Sequence, residues 1–359
     1  MTTPARSGFA DAAARVRPVD PAIVQAAAAR HDRLTKPPGS LGRIEVAGVR
    51  LAAIAGVVPP PLPAPAAVAV FAADHGVHAS GVSPWPQAVT GQMVQNFLGG
   101  GAAINVIARQ VGAAVHVVDV GVATPIDSDD PRLLRRSIAP GTRDLSVEPA
   151  MDLEQARASL DIGVEIAGRL MHDGARCLLT GDMGIANTTA SAAVIAACTG
   201  RTADDVTGRG AGADDEMLTH KRDVVRQATQ RLVRDAGAVE ILRHVGGFEI
   251  GAIAGFIVGG AAARMPVIVD GVISLAGLLL AHQLVPDVVD YVIAGHRSTE
   301  PGASAALAHV GLEPVLDLDL RLGEGTGAAL ALPVVQASAA ILRDMATFDD
   351  AHVDTSELL

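Results

Sequence analysis

Cysteine is scarce in this chain of 359 residues. Cys177 and Cys198 are the only two, and two thiols cannot form a disulfide framework. They also lack the spacing that a structural zinc site needs. We therefore expect two inert thiols in the core of a protein that works in a reducing compartment, the cytoplasm.

An excess of positive charge is also missing. The chain has 28 lysine and arginine residues against 39 aspartate and glutamate residues, which gives a formal net charge of −11. Proteins that bind nucleic acid or an anionic membrane surface need a basic field, so we expect neither as a partner. A small anionic ligand is compatible with this charge, because it needs only a local positive pocket.

Apolar runs of membrane-spanning length are absent too, although 49% of the residues are hydrophobic. The longest charge-free apolar stretch, residues 250–263, lies between Glu249 and Arg264. A membrane span needs about 20 residues, so this stretch predicts a buried helix or a pair of buried strands. The first residues, where arginine and aspartate interrupt alanine, lack the apolar region of a signal peptide.

Lysine is the rare basic residue here. Only Lys36 and Lys221 break an otherwise exclusive use of arginine. Both are therefore candidates for a task that needs a compact charge on a flexible stem. Lys221 follows the glycine-rich residues 208–212 on a predicted helix and could reach a phosphate there; a solvated helix position is the alternative.

The length favours two domains of about 150 residues each. Residues 1–58 are alanine-rich and mostly helical in pattern. Five prolines within residues 59–65 then form a stiff connector. We predict a large α/β domain over residues 59–329 and a smaller helical domain built from residues 1–58 and about 330–359.

Beyond the connector, short β-branched runs alternate with helical segments. The runs are apolar on both faces, as strands buried in a parallel sheet are, and the intervening helices predict βαβ units. The expected fold is α/β and Rossmann-like, a mostly parallel sheet flanked by helices. A long helix should follow from Thr326 to Met345. The predicted strands are Val68–Phe71, Val115–Val118, Cys177–Leu179, Val267–Val269, Val288–Ile293 and the more polar Val315–Leu320.

Each predicted strand runs into a loop of glycine and polar residues. Because ligands of open α/β sheets bind at the carboxyl ends of the strands, we expect these loops to build the site. Residues 181–189, GDMGIANTT, join a strand to a helix whose N-terminus could bind an anion. They match neither a P-loop nor a dinucleotide fingerprint, and an ordinary capped turn is the alternative.

Three further loops carry candidate chemistry. Residues 208–212, GRGAG, could form a backbone nest for phosphate. Glu324, with three glycines around it in RLGEGTG, could act as a general base if a dry pocket raises its pKa, or it could be an ordinary surface residue. Residues 74–78, DHGVH, suggest a metal at first, but we expect Asp74 and His75 to hold the loop by hydrogen bonds or to line a polar edge of the site, and we predict no metal.

Together these loops resemble one family, the nicotinate-nucleotide:5,6-dimethylbenzimidazole phosphoribosyltransferases, which act in the assembly of the cobalamin lower ligand. The matching segments span nearly the whole chain in the family's order. They are KPPGSLGR (36–43), DHGV (74–77), GVSPWPQAVTGQ (81–92), FLGGGA (97–102), GDMGIANTT (181–189), residues 208–221, STEPG (298–302) and RLGEGTGA (321–328).

The resemblance implies a reaction in which a dimethylbenzimidazole nitrogen attacks the anomeric carbon of nicotinate mononucleotide. Nicotinate then leaves with inversion, which gives α-ribazole 5′-phosphate. The resemblance implies that Glu324 is the general base and that the chain is a homodimer. It implies no cofactor, because the leaving nicotinate is already an activated cationic pyridinium.

The resemblance also implies the substrate contacts. The phosphate is expected at Met183, Gly184, Gly208, Gly210, Gly212, Lys221 and Ser298. The benzimidazole is expected near Ser83, Gln92 and Met183, and the remaining contacts are expected at Asp182, Leu322 and Gly323.

Three residues depart from the family's pattern. Asp182 replaces the usual glutamate, Ala186 a glycine and Ala303 a histidine, and we expect none of them to touch Glu324. The departures at Asp182 and Ala186 motivate an alternative, a non-catalytic protein that binds benzimidazoles or their ribosides. A generic nucleotide-dependent oxidoreductase is the third hypothesis, and the missing dinucleotide fingerprint argues against it.

Overall fold

A six-stranded parallel sheet lies at the centre of the fold. The computed structural model describes residues 8–354. The neighbouring strands are all parallel and follow the order β3-β2-β1-β4-β5-β6. This confirms the predicted α/β class. The strands are β1 (Ala66–Ala73), β2 (Ala113–Gly121), β3 (Leu133–Arg135), β4 (Cys177–Met183), β5 (Val267–Val269) and β6 (Val292–Ala294).

Helices cover the sheet and connect its strands. They are α1 (Gly8–Ala13), α2 (Pro21–Arg33), α3 (Arg43–Ala55), α4 (Val89–Gly99), α5 (Ala103–Val111), α6 (Leu153–His172), α7 (Asn187–Thr199), α8 (Ala203–Val206), α9 (Asp215–Gln230), α10 (Ala238–Val245), α11 (Phe248–Ala262), α12 (Val272–Leu284), α13 (Pro301–Val310), α14 (Thr326–Asp344) and α15 (Phe348–Ala351). Residues 8–354 also contain two 3-10 helices, Gly76–Ser80 and Pro286–Tyr291.

Strand β1 shows why the predicted strands read as unbroken apolar runs. All eight of its residues are buried. Because successive side chains of a strand point to opposite faces, Ala69 and Phe71 enter one core and Val68 and Val70 the other. The first core includes α6, α7, α11 and α12, and the second includes α3, α4, α5 and α14. A sheet buried on both faces does not need a polar side.

Two strand predictions need correction. Residues 288–291 belong to the 3-10 helix that leads into β6, so only the end of the predicted run Val288–Ile293 is a strand. The predicted strand Val315–Leu320 is wrong, because Leu316 makes only an isolated bridge to His296. Its alternating aspartates suit a polar edge rather than a two-sided core. The short strand β3 was not predicted.

The apolar stretch forms a helix rather than a pair of strands, since its residues 250–262 belong to α11. Helix α11 is buried almost throughout and lies against α6. Close approach of the two backbones requires glycine: a Cβ on Gly163 would lie 2.0 Å from the carbonyl oxygen of Ala252, and a Cβ on Gly255 would lie 2.0 Å from that of Leu160.

Helix α14 fulfils the prediction of a long helix after residue 325, ending one residue earlier than expected. Within residues 8–354 it is the one helix long and apolar enough to cross a membrane, and most of it is buried in the second core. It contacts α3, α5 and β4. The division into residues 59–329 and a small domain stays a prediction; residues 1–7 and 355–359 of that small domain lie outside the described residues.

The two cysteines lie in different environments. Cys177 is fully buried in β4, whereas Cys198 is partly exposed on α7. Burial raises the pKa of both thiols, that of Cys198 to about 12. A thiol with a raised pKa is a poor nucleophile at neutral pH.

Candidate active site

The loops at the carboxyl ends of β4, β5 and β6 surround a pocket. The strand order changes direction between β1 and β4, and open α/β sheets bind ligands beside such a point. The end of β4 is part of the pocket. The pocket contains seven residues that the sequence predicted: Asp182, Met183, Gly184, Gly210, Ser298, Leu322 and Gly323. It also contains Asn187, Gly271, His296, Glu300 and Arg321, which the predicted site did not include.

Glu324 is buried beside this pocket, with only 5% of its surface exposed. Its backbone N–H donates to the carbonyl oxygen of Asp182 at 3.2 Å, which joins its loop to the end of β4. Its Oε2 accepts a hydrogen bond of 3.2 Å from the N–H of Ile104 in the first turn of α5. An exposed loop glutamate, the alternative from sequence, is therefore wrong.

The environment of Glu324 favours its protonated form. Burial raises the pKa of the carboxyl group, and the negative charge of Asp270 raises it further. The hydrogen bond from Ile104 opposes both effects without cancelling them. A carboxylate with a raised pKa is a better proton acceptor at neutral pH than one in water.

Asp182 lies against the loop of Glu324. Its Oδ2 accepts a hydrogen bond of 3.0 Å from Asn187 Nδ2, and Gly323 packs on its carboxylate. The expectation that none of the departures touches Glu324 is wrong here, because Asp182 accepts the Glu324 N–H through its backbone. Burial raises the pKa of Asp182 well above its ordinary value, and the charges of Asp270 and Glu249 add to this.

The other two departures have different consequences. Ala186 precedes α7 with φ +74°, in the left-handed region where glycine is favoured. Alanine adopts this conformation at a higher energy than the glycine it replaces. Ala303 is fully buried in α13, where a larger side chain would need space from its neighbours.

The two lysines divide between two roles. Lys221, on α9, is only 2% exposed, and its Nζ donates to Thr188 Oγ1 at 3.1 Å, so the solvated alternative is wrong. Burial lowers the pKa of Lys221, against the opposing charge of Glu300. Lys36 forms a mostly buried ion pair of 2.8 Å with Glu45 and does not line the pocket.

The glycine-rich loop at residues 208–212 already holds a carboxylate. The N–H of Gly210 donates to Glu300 Oε1 at 2.7 Å, and a Cβ on Gly208 would collide with the same carboxylate. Gly212 is exposed, and it and Gly208 border a neighbouring cavity rather than the main pocket. The loop has the geometry of an anion nest, but in this structure Glu300 supplies the anion at Gly210.

The predicted benzimidazole contacts lie unequally close to the pocket. Ser83 borders a smaller adjoining pocket together with Gly184 and Lys221. Trp85, two residues on, donates from Nε1 to the carbonyl oxygen of Ala211 at 2.9 Å, which links this loop to the glycine-rich one. Gln92 is exposed on α4 and borders neither pocket.

The loop after β1 is held by hydrogen bonds, as expected. Asp74 Oδ2 accepts a bond of 2.8 Å from the Ala123 N–H. His75 forms a fully buried pair of 2.7 Å with Glu249. Burial alone would lower the pKa of His75, but the charge and hydrogen bond of Glu249 raise it overall. Within residues 8–354, no group of three or more histidine, cysteine or acidic side chains could hold a metal ion.

Besides Asn187 and Arg321, sequence reasoning did not place Asp270, His296 and Glu300 in the site. Asp270 directly follows β5, and His296 lies two residues after β6. Their position at the carboxyl end of a predicted strand is the sequence signal that could have identified Asp270 and His296 as site residues. The residues they bond to are distant in sequence, so the sequence alone could not rank them.

Comparisons with known proteins show the family to which the chain belongs. A family model described as Phosphoribosyltransferase matches residues 16–353. Relatives named nicotinate-nucleotide–dimethylbenzimidazole phosphoribosyltransferase include one from Salinispora tropica, 52% identical over 95% of this chain and 97% of its own, and one from Chloroflexus aurantiacus, 51% identical over 94% and 96%.

A solved structure has the same fold. The crystal structure of the protein of that name from Thermus thermophilus superposes with a TM-score of 0.90 and 48% identity, covering 94% of this chain and all of the other. Sequence motifs, sheet order and full-length similarity thus agree, and the chain belongs to the nicotinate-nucleotide–dimethylbenzimidazole phosphoribosyltransferase family.

Proposed function

We propose that this enzyme transfers the phosphoribosyl group of nicotinate mononucleotide to 5,6-dimethylbenzimidazole or a related base. The products are α-ribazole 5′-phosphate and nicotinate, for the nucleotide loop of cobalamin. Full-length similarity to relatives that carry this enzyme's name supports the reaction. The observation that carries the mechanism is the burial of the Glu324 carboxylate at the strand ends.

The chemistry needs one proton acceptor. A benzimidazole nitrogen forms a bond to the anomeric carbon while the bond from that carbon to nicotinate breaks. The electron pair of the broken bond neutralises the pyridinium nitrogen, so the leaving group needs no proton. The proton on the second benzimidazole nitrogen passes to Glu324, whose raised pKa suits it as acceptor.

The phosphate end of the substrate needs positive groups. Lys221 supplies a buried ammonium, and Ser298 and Gly184 lie in the same group of loops. The N-terminus of α7, which begins at Asn187, adds the positive end of a helix dipole. Holding both bases across one ribose contributes most of the rate, since well-oriented reactants can gain about 7–11 kcal/mol.

Replacing Glu324 by glutamine tests the base. We expect Glu324→Gln to slow formation of α-ribazole phosphate at least tenfold, because general bases typically contribute about 10²–10⁴-fold. Product formation and nicotinate release are followed by mass spectrometry with a panel of benzimidazoles, which also identifies the preferred acceptor. Glu165→Gln, a surface glutamate bonded to Arg136, is the control and should react as the unmodified enzyme does. An unchanged rate in a folded Glu324→Gln variant would remove Glu324 from this role.

We also propose that the enzyme is a cytoplasmic homodimer. Several large apolar side chains are exposed, among them Val46, Val57 and Val106, and contact with a second copy would cover such residues. Light scattering should give twice the chain mass of 36.5 kDa. A mass equal to that of one chain at micromolar concentration contradicts the dimer.

A further inference from the structure

Asp270 is a fully buried carboxylate that bonds to the segment just after Glu324. Its Oδ2 accepts a hydrogen bond of 3.2 Å from the N–H of Gly325. Its Oδ1 accepts bonds of 2.8 and 3.0 Å from the N–H groups of Gly327 and Ala328. The acceptor lies on the loop after β5, and the donors form the start of α14. Asp270 therefore joins the sheet to the loop of the proposed base.

The loop it holds has an unusual backbone. Gly323, Glu324 and Gly325 have φ values of +84°, +63° and +92°, so three consecutive residues lie in the left-handed region. Glycine adopts this conformation freely, but glutamate does so at a cost in energy. Such a conformation persists only where surrounding contacts impose it. The Glu324 N–H bonds to the carbonyl oxygen of Asp182, and the Gly325 N–H bond to Asp270 fixes the next peptide group.

We propose that Asp270, paired with His296, is a positioning residue that fixes the left-handed backbone of Glu324 and so aims its carboxylate at the acceptor base. This inference rests on the proposed function. Asp270 acts through Glu324 and need not touch the substrate itself.

His296 follows β6, the strand next to β5, and pairs with Asp270. Its Nε2 lies 3.4 Å from Asp270 Oδ1, and both side chains are almost fully buried. A Cβ on Gly327 would lie 1.9 Å from the imidazole ring, so the ring packs directly on the first turn of α14. Burial alone would lower the pKa of His296, but the hydrogen bond and charge of Asp270 raise it overall.

The charges around Glu324 give this role a measurable signature. The carboxylates of Asp182 and Asp270 both lie near Glu324, one from the end of β4 and the other from the end of β5. When protonated, His296, from the end of β6, is the partner that offsets the charge of Asp270. Removing the negative charge of Asp270 lowers the pKa of Glu324. Removing the positive charge of a protonated His296 is expected to raise it.

Asp270→Asn is the main test. Asparagine keeps one acceptor oxygen but replaces the other with a donor, so it cannot hold all three N–H groups. We expect kcat to fall at least tenfold while KM for nicotinate mononucleotide changes less than threefold. The acid limb of the kcat profile against pH should move to lower pH. His296→Gln keeps a donor but loses the charge, so its acid limb should move to higher pH.

Asp119→Asn is the matched control. Asp119 is also a buried aspartate near the carboxyl end of a strand, and its Oδ1 accepts the N–H groups of Gly121 and Val122 at 3.1 and 2.9 Å. It does not bond to the Glu324 loop. We expect kcat within threefold of the unmodified enzyme and an unmoved acid limb.

The outcomes separate the two proposals. An unmodified enzyme that forms no α-ribazole phosphate contradicts the proposed function itself. An active enzyme whose folded Asp270→Asn variant loses melting temperature, but keeps kcat and the acid limb, makes Asp270 a structural cap only and overturns the inference. If Asp270→Asn does not fold, His296→Gln decides, and an unmoved acid limb in that variant overturns the inference.

Discussion

Single buried carboxylates in this enzyme are held at a cost to folding. Asp182 shows this most clearly, because burial, with Asp270 and Glu249 nearby, raises its pKa well above the ordinary value. The folded protein therefore binds this proton more tightly than the unfolded chain does. The contribution of Asp182 to stability is therefore most favourable below its unfolded pKa, and it falls as the pH rises from there to the raised folded pKa.

Asp182→Asn should reveal that cost. At pH 7 we expect the variant to be more stable than the unmodified enzyme, because asparagine removes a negative charge that is costly to bury. The gain should shrink as the pH approaches 4. Urea unfolding at several pH values measures it. Asp130, whose pKa the hydrogen bonds from Arg132 lower to about 2, is the control of opposite sign: Asp130→Asn should give no gain. A gain for Asp182→Asn that does not vary with pH contradicts the account.

Residues like these could be predicted only in part. Glu324 stood out because three glycines surround it, and Lys221 because lysine is so rare in this chain. Glu300 did not stand out, although its carboxylate accepts the Gly210 N–H in the predicted phosphate nest. Its partner is distant in sequence, and nothing local in either segment signals the pairing.

At the scale of elements, the pair α6 and α11 depends on glycine. Gly163 faces the backbone of α11, whereas Gly168, on the same helix, has open space where a Cβ would lie. The apolar residues 250–263 allowed a helix or two strands, because an all-apolar run shows no period. Its length was the better guide, since strands of globular proteins seldom exceed about ten residues.

Two alanine substitutions on α6 should have opposite effects. Gly163→Ala should destabilise the enzyme by about 3 kcal/mol, because its Cβ would force the two helices apart. Gly168→Ala should stabilise it by about 0.5–1 kcal/mol, since alanine favours an exposed helix position. Urea unfolding measures both. Equal effects at the two positions would show that close backbone approach does not control this packing.

For the whole molecule, the sequence predicted the fold class and the edge of the sheet that carries the site. Both depend on local signals: two-sided apolar strands and the glycine-rich loops that follow them. Strand order and the bonds between distant loops, such as that of Asp270 to α14, depend on long-range packing. The short edge strand β3 escaped prediction because three residues show too little pattern.

The enzyme has a single tryptophan, and its position gives the molecule a natural optical reporter. Trp85 is about half exposed, at 49%, and its indole bridges two loops beside the pocket through Ala211. Indole emission responds to the polarity around the ring, and no second tryptophan obscures the signal. Ligand binding that separates these loops would therefore shift the emission maximum of Trp85. The rate of turnover could then be followed by the intrinsic fluorescence of the unlabelled protein.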